Sequence, residues 1–285
     1  MTTATLNPPP SPSSQSPHTL TFGGVLRSEW IKLRSTRSTN WSYLITALGI
    51  WGIALLGALV IANYSDVANL AELKTKNLDN KIFNDYFVSI ITGSVSLTGL
   101  VVAILGVLVI SGEYSTGMIR STLTAVPTRT PVLVGKAIIL FLTTYAITFI
   151  AQLLSFPIVA IILTRINVTA NLFDSNIFLP LLGCSLFLSL TALLSLTVGT
   201  MVRSSAGGIG IMMTLLLVVP GLLFALLPMD WRPNITPFLF TSAGTEIYTR
   251  MDQPTLSLPQ AILVTLIWNA VTFIGAMILL KRRDA

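Results

Sequence analysis

Residues 88–110 read VSIITGSVSLTGLVVAILGVLVI, and residues 111–136 continue as SGEYSTGMIRSTLTAVPTRTPVLVGK. The first stretch has no charged residue and is long enough to cross a hydrocarbon core, which needs about 20 apolar residues in a helix. The second stretch is charged and contains glycine and proline, so it is suited to water rather than lipid. This change from an apolar to a polar stretch indicates the fold class.

The rest of the chain follows the same pattern. Hydrophobic residues make up 53% and charged residues only 10%, with a mean hydropathy of +0.79, whereas soluble domains carry about 25% charged residues. The apolar stretches lack the alternation of barrel strands and are too long for them. We therefore predict an all-α integral membrane protein of the cell membrane. Its six transmembrane helices would cover residues 41–62, 88–110, 137–163, 177–201, 209–227 and 259–280.

The distribution of charge predicts the orientation. With the N-terminus placed inside, the inner segments hold eleven bases and three acids, and the outer segments hold six bases and eight acids. Lysine and arginine accumulate on the cytoplasmic side, so both termini are predicted to be cytoplasmic. The net charge of +6 fits contact with anionic lipid headgroups. The bases lack the surroundings of a nucleic-acid platform, so no nucleic-acid partner is expected.

Two segments precede the first predicted span. Residues 1–21 are rich in proline, serine and threonine, which predicts a disordered cytoplasmic tail. Residues 22–40, FGGVLRSEWIKLRSTRSTN, predict an amphipathic helix in the inner headgroup layer. Two interpretations of it stay open, a simple anchor and a helix that also contacts a cytoplasmic partner. Its apolar positions are Val25, Leu26, Trp30 and Leu33, and its bases are Arg27, Lys32, Arg34 and Arg37.

The sequence lacks the residue sets that catalytic, phosphate-binding and metal sites require. The one histidine, His18, lies in the predicted tail, and TPVLVGKA at 130–137 lacks both the first glycine and the final hydroxyl of a phosphate-binding loop. Cys184 lies inside an apolar stretch, where a small buried residue is the usual interpretation. We therefore expect no catalytic, cofactor or metal site in this chain. A transport step would take its energy from a partner.

Polar and small residues inside the spans point to helix packing. The predicted spans contain essentially no charged residue, so Gln152 and Asn269 are their strongest polar groups. We predict that both form hydrogen bonds between helices, and contact with a substrate is the alternative for each. Small residues recur along the fourth span and predict close packing within the chain. They are Ser185, Ser189, Ala192, Ser195 and Gly199.

The polar stretch after the second span admits two interpretations. Residues 113–124 contain no proline, and Met118, Ile119, Leu123 and Val126 could form one apolar face, which predicts a short cytoplasmic helix. A plain loop fits the same pattern. If a helix begins here, Glu113 lies near its N-terminus, where the dipole favours an acid. Its partner could then be a base on residues 22–40 or in another subunit.

Three motifs in this order resemble the permease subunits of ABC-2 type transporters, especially actinobacterial ones. They are SEWIKLRSTRSTNW, GEYSTGMIRSTLTAVPTRTPVLVGK and NITPFLFTSAGTEIY, and the resemblance covers residues 22–283. It implies a type V, ABC-2 exporter-like transmembrane domain over 41–285, with short outer helices within 228–254. It also implies a connecting helix over 22–40, including Arg27, Trp30, Lys32 and Arg34.

The resemblance further implies a coupling helix that docks on a separate ATP-binding subunit. The matching residues are Glu113, Tyr114, Gly117, Arg120 and Thr122, while Met118 stands in that helix where many relatives have threonine. ATP and magnesium would be bound by that partner. Two copies of this chain, or one copy and a related permease, would pair within the membrane.

The expected function is export of an amphipathic or lipid-like cargo, such as a drug, antibiotic, peptide or lipid, because the spans offer apolar surface and hydroxyls but no fixed charge. An alternative is a membrane scaffold or immunity protein that sequesters a membrane-active compound without transporting it. A neighbouring ATPase gene favours the first function, and purification without an ATPase favours the second.

Overall fold

The computed structural model describes residues 21–63, 87–118, 129–166, 170–249 and 254–282. All regular structure within these ranges is helical. Six of the helices are long and apolar enough to cross a membrane, which confirms the predicted number and identifies a multi-pass membrane protein. They are Arg37–Asn63, Phe87–Ser115, Thr130–Leu163, Ser175–Val202, Ser205–Leu226 and Leu258–Arg282.

The chain enters the bundle through two consecutive helices. Helix α1, Phe22–Ser35, begins after Thr21, whose hydroxyl accepts a hydrogen bond from the Gly24 amide at 3.2 Å. Thr36 is extended, and α2 begins at once as Arg37–Asn63. The connecting helix predicted over 22–40 therefore ends earlier, and residues 37–40 belong to the helix of the first span. Of the predicted tail, only Thr21 is among the described residues.

The next two helices extend beyond the apolar stretches. Helix α3, Val95–Ser115, follows a helical segment over 87–92 and a turn, and α4 is Arg129–Leu163. The apolar stretches end at 110 and begin again at 137, so both helices continue into polar sequence. Glu113 lies in the last turn of α3 and so does not begin a new helix, and residues 119–124 of the predicted short helix or loop lie outside the described residues. Gly117 follows with a positive φ of 71°.

Helix α5, Ser175–Val202, forms the centre of the bundle, and 72% of its most apolar window is buried. It packs against α3, α4 and α10, which is Leu258–Arg282. Three of its small residues, Ala192, Ser195 and Gly199, pack on α3, which is close packing within the chain as predicted. A Cβ on Gly106 would overlap the Ala192 carbonyl, and one on Gly199 would come within 3.2 Å of Val107 Cα. The serine hydroxyls of this stripe donate to carbonyls of α5 itself, so they enter the interface without losing hydrogen bonds.

The fifth span lies at the edge of the bundle. It consists of α6, Ser205–Met213, a π-helical turn, Thr214–Val218, and α7, Val219–Leu226. Pro220 has no amide to donate to the preceding turn, which explains the local change of helix type. Only 6% of the most apolar window of this span is buried. Its side chains are therefore available to lipid or to another chain.

Short helices link the fifth and sixth spans, as the sequence resemblance implies. They are α8, Arg232–Ile235, a 3-10 turn, Thr236–Phe238, and α9, Phe240–Tyr248. Helix α9 packs closely on α5 through two glycines. A Cβ on Gly244 would overlap the Phe187 ring, and one on Gly183 would lie 2.5 Å from the Ile247 carbonyl oxygen.

The two buried amides do not join helices. Gln152 is fully buried, and neither atom of its amide has a hydrogen-bond partner in the described part of the chain. Asn269 donates to the Thr265 carbonyl of its own helix at 2.9 Å. The prediction of interhelical bonds was therefore wrong for both residues. Tyr43 and Thr144 join α2 to α4 instead, with hydroxyl oxygens 2.9 Å apart.

Candidate functional site

Four charged side chains from three helices meet at one end of the bundle and are called here the charge cluster. Lys136 of α4 lies between the acids, with Nζ 2.5 Å from Glu29 Oε2 and 2.8 Å from Glu113 Oε1. Lys32 of α1 contacts the same acids at 2.8 Å and 3.3 Å. Two acids and two bases make the cluster formally neutral. It fastens α1, the last turn of α3 and the first turns of α4 to one another.

Burial makes this pairing essential. Glu29, Lys136 and Glu113 are only 2%, 3% and 7% exposed, and the side chain of Lys32 is 25% exposed. A buried charge without a partner costs several kcal/mol, so each of these groups needs the others. Removing one member therefore affects the position of three helices and not only one contact.

Lys32 is the member of the cluster closest to solvent. Burial acts to lower the pKa of Lys32, but its hydrogen bond to Glu29 and the negative charges of both acids outweigh that effect. The pKa of Lys32 is therefore raised above its usual value, so the ammonium form is favoured.

The cluster also compensates for an unfavourable position. Glu113 lies in the last turn of α3, where the free carbonyls give the helix end a partial negative charge. An acid there is disfavoured by the dipole, whereas the sequence prediction placed it at a favourable N-terminus. Lys136 and Lys32 supply the positive charge that this position needs. Of the two partners considered for Glu113, a base on the first helix or one in another subunit, the structure shows the first, Lys32.

One carboxylate oxygen of the cluster forms no hydrogen bond with the described residues. Glu113 Oε2 is buried and has no hydrogen-bond partner in the described ranges. It borders a cavity of about 310 Å³ between α1, α3 and α4, whose wall includes Thr36, Thr116 and Met118. The end of α3 is therefore fastened on one side and still adjoins open space at Thr116 and Met118.

A second set of contacts holds the other side of the same helix end. The Arg203 guanidinium lies over the Tyr114 ring at 5.2 Å, a favourable cation–π arrangement. One turn earlier, Ser205 Oγ donates to Ser111 Oγ at 2.8 Å. Both contacts join α3 to the corner between α5 and α6, where Arg203 has a left-handed backbone, with φ 58°. The last turn of α3 is thus linked both to α1 and α4 and to the start of the fifth span.

The residues predicted from the resemblance lie in different surroundings. Glu113, Tyr114 and Lys32 lie in these contacts, while Gly117 and Met118 follow them in the exposed turn. Trp30 is 45% exposed rather than packed, because Val25, Glu29 and Leu33 form the buried face of α1. Two predicted residues, Arg120 and Thr122, lie outside the described residues. Two more, Arg27 and Arg34, are exposed and point away from the cluster.

Sequence reasoning missed Glu29, Lys136 and Arg203. Glu29 carried a usable signal, because it stands four residues after Val25 and four before Leu33, and so shares the helix face that these apolar residues bury. Lys136 and Arg203 were counted only as cytoplasmic bases beside apolar spans. Their contacts join segments distant in sequence, which no local pattern records.

Comparison of the chain with protein-family models and with curated proteins gives no match.

Proposed function

We propose that this chain is the membrane-spanning subunit of an ATP-driven ABC-2 type exporter, powered by a separate ATP-binding subunit. The observation that carries the proposal is the construction of the end of α3. The motif that resembles a coupling segment starts in its last turn, and that turn is fixed by the charge cluster and by the contacts of Tyr114 and Ser111. A push on the following residues would therefore move several helices together.

The proposed mechanism uses this linkage. ATP-driven closure of the partner subunits would displace the segment after Gly117. The charge cluster would pass the displacement to α1 and α4, and the Arg203 corner would pass it to the fifth span. Because the ATPase would bind two arrangements of this end with different affinity, nucleotide binding would shift the balance between them. This balance would alternate access to the two faces of the membrane.

The exposed fifth span supports assembly with a second permease, either another copy or a related chain, since only 6% of its most apolar window is buried within this chain. The cargo would be amphipathic or lipid-like. The spans present apolar side chains and hydroxyls. Of the charged groups described within the spans, Glu113 and Lys136 pair in the charge cluster, and Arg37, Lys281 and Arg282 lie at helix ends. The site of function would be the cell membrane.

Crosslinking tests the partner directly. A photoreactive residue placed at Arg120 or Thr122 of the full-length chain should form an adduct with a protein that carries a phosphate-binding loop. The matched control is the same residue at Asn77, which is predicted to lie on the opposite membrane face. The isolated crosslinked complex should hydrolyse ATP, and the chain alone should not. Absence of an ATPase adduct at both positions would favour the alternative, a scaffold or immunity protein.

Cysteine labelling tests the orientation that this proposal requires. In a Cys184→Ser background, a membrane-impermeant reagent applied outside should modify cysteines at Asn77 and Asp252 but not at Ser121 or Arg282. Labelling of Ser121→Cys from outside would place the coupling segment on the wrong face for an intracellular ATPase. That result would overturn the proposed function even if the chain spans the membrane six times.

A further inference from the structure

A second cavity, of about 420 Å³, lies toward the opposite end of the bundle from the charge cluster. Its wall includes Leu258, the first residue of α10, whereas the far end of that helix packs beside the start of α4 through Leu280 and Leu133. The cavity is therefore separate from the site described above. Its volume lies within the range of about 300 to 1,000 Å³ that is typical of small-molecule sites.

The wall of this cavity combines apolar side chains with one acid. Leucine and isoleucine side chains of α5, α9 and α10 form most of it, and Tyr145 of α4 contributes an aromatic ring. Glu246 of α9 is the one charged residue among the described residues of the wall. Its Oε1 accepts a hydrogen bond from the Thr255 amide at 3.1 Å. Its Oε2 is buried and has no hydrogen-bond partner in the described part of the chain.

From this combination we propose that the cavity binds an amphipathic monocation, an ammonium group attached to a short apolar chain. The ammonium group would donate to Glu246 Oε2, which gives a charge-assisted hydrogen bond. The Tyr145 ring offers an aromatic face of the kind that attracts ammonium groups. The apolar body would occupy the space lined by Leu182, Leu186 and Ile262. Among the described residues, no base pairs with Glu246, and its buried Oε2 would gain a partner from the ammonium group.

Two kinds of molecule could supply this ammonium group, a free amphipathic amine and a phosphatidylethanolamine lipid through its headgroup. The probe that separates charge from apolarity is decylamine, compared with decanol of the same chain length. Both carry a photoreactive diazirine and are presented to the full-length chain in nanodiscs of phosphatidylglycerol, which brings no competing ammonium. Decylamine should label peptides from α5, α9 and α10. Labelling of the same peptides by decanol should be at least about tenfold weaker.

Two variants make the result specific. Glu246→Gln keeps an oxygen for the Thr255 amide and removes the charge, so decylamine labelling should fall about tenfold or more. Asp230→Asn, at an exposed acid between α7 and α8, is the matched control and should leave labelling unchanged. Leu179→Trp adds bulk to the wall of the cavity at a residue that is 45% exposed. It should reduce labelling without touching the carboxylate.

Adding phosphatidylethanolamine to the nanodiscs distinguishes a lipid headgroup from a free amine as the natural ligand. Competition by phosphatidylethanolamine added to the nanodiscs would assign the site to a lipid headgroup, and undiminished labelling would assign it to free amines. Equal labelling by decanol and decylamine, or full labelling of Glu246→Gln, would overturn the proposal. These measurements need no ATPase and no transport, so their outcome is independent of the proposed function.

Discussion

A double-mutant cycle on the charge cluster gives the sharpest test of the structure. The three variants are Lys136→Met, Glu113→Gln and their combination. In Lys136→Met, Lys32 is the one base that the two buried acids keep among the described residues, so one negative charge is in excess. In Glu113→Gln, one positive charge is in excess, but Lys32 is 25% exposed and can turn toward water. The double variant retains the neutral pair of Glu29 and Lys32.

The magnitudes follow from the distances. At 2.8 Å and an effective dielectric constant of 20, the attraction between Lys136 and Glu113 is about 6 kcal/mol before desolvation is subtracted. Breaking a buried pair by removing one partner costs about 3 to 5 kcal/mol. We expect that loss for Lys136→Met and about 1 to 2 kcal/mol for Glu113→Gln, which retains a hydrogen-bonding amide. The double variant should be more stable than Lys136→Met alone, because it restores neutrality.

The free energy of unfolding would be measured by reversible detergent denaturation of the full chain. Lys281→Met, at an exposed base at the end of α10, is the control for loss of a lysine and should change stability by less than about 0.5 kcal/mol. Additive losses in the double variant, or a double variant less stable than Lys136→Met, would refute the reasoning. Either result would mean that the four groups do not act as one neutral unit.

Three further outcomes are expected. Gly244→Ala should lose about 1 to 3 kcal/mol of stability in the same assay, because its Cβ would overlap the Phe187 ring, whereas Gly210→Ala has open space and should not. Gly117→Ala should cost about 1 kcal/mol through its positive φ alone, and an unchanged stability would contradict the described turn. Because the pKa of Lys32 is raised above 10.5, its stabilising contribution is complete below that pH and is lost as the pH rises through its folded-state pKa. The stability difference between wild type and Lys32→Met should therefore stay constant from pH 7 to 9.5, and narrowing within that window would contradict the raised pKa.

The spans were predictable because lipid imposes a local rule. Every backbone amide and carbonyl must be satisfied inside the segment, so a long apolar run becomes a helix whatever surrounds it. Close packing against α5 was predictable for a similar reason, since small residues repeat along one face of α5, although the sequence did not identify α3 as the partner. Both features depend on residues near one another in sequence.

The ends of the helices and the polar groups inside them were not readable in this way. Apolarity ends at Ile110 and resumes at Ala137, but α3 and α4 continue, because Lys136 and Glu113 neutralise each other across 2.8 Å. Gln152 is the opposite case, because its neighbours do not supply the hydrogen bonds that its amide could form. Its amide looks suited to bond a neighbouring helix, and yet the packing around it leaves both atoms without a partner in the described residues. Tertiary neighbours decide these positions.

The charge cluster is better explained by geometry than by stability. Apolar residues of similar volume often hold helices together as well as buried ion pairs do, or more strongly. Apolar contacts, however, tolerate small sliding movements, whereas four groups held at 2.5 to 3.3 Å are satisfied in one arrangement and lose their partners between arrangements. Any movement of a helix end held in this way would be a step to a second arrangement that also satisfies these charges, rather than a gradual slide. This property is what the end of α3 would need if it transmits a switch, and it also explains why an acid is placed where the helix dipole alone would disfavour it.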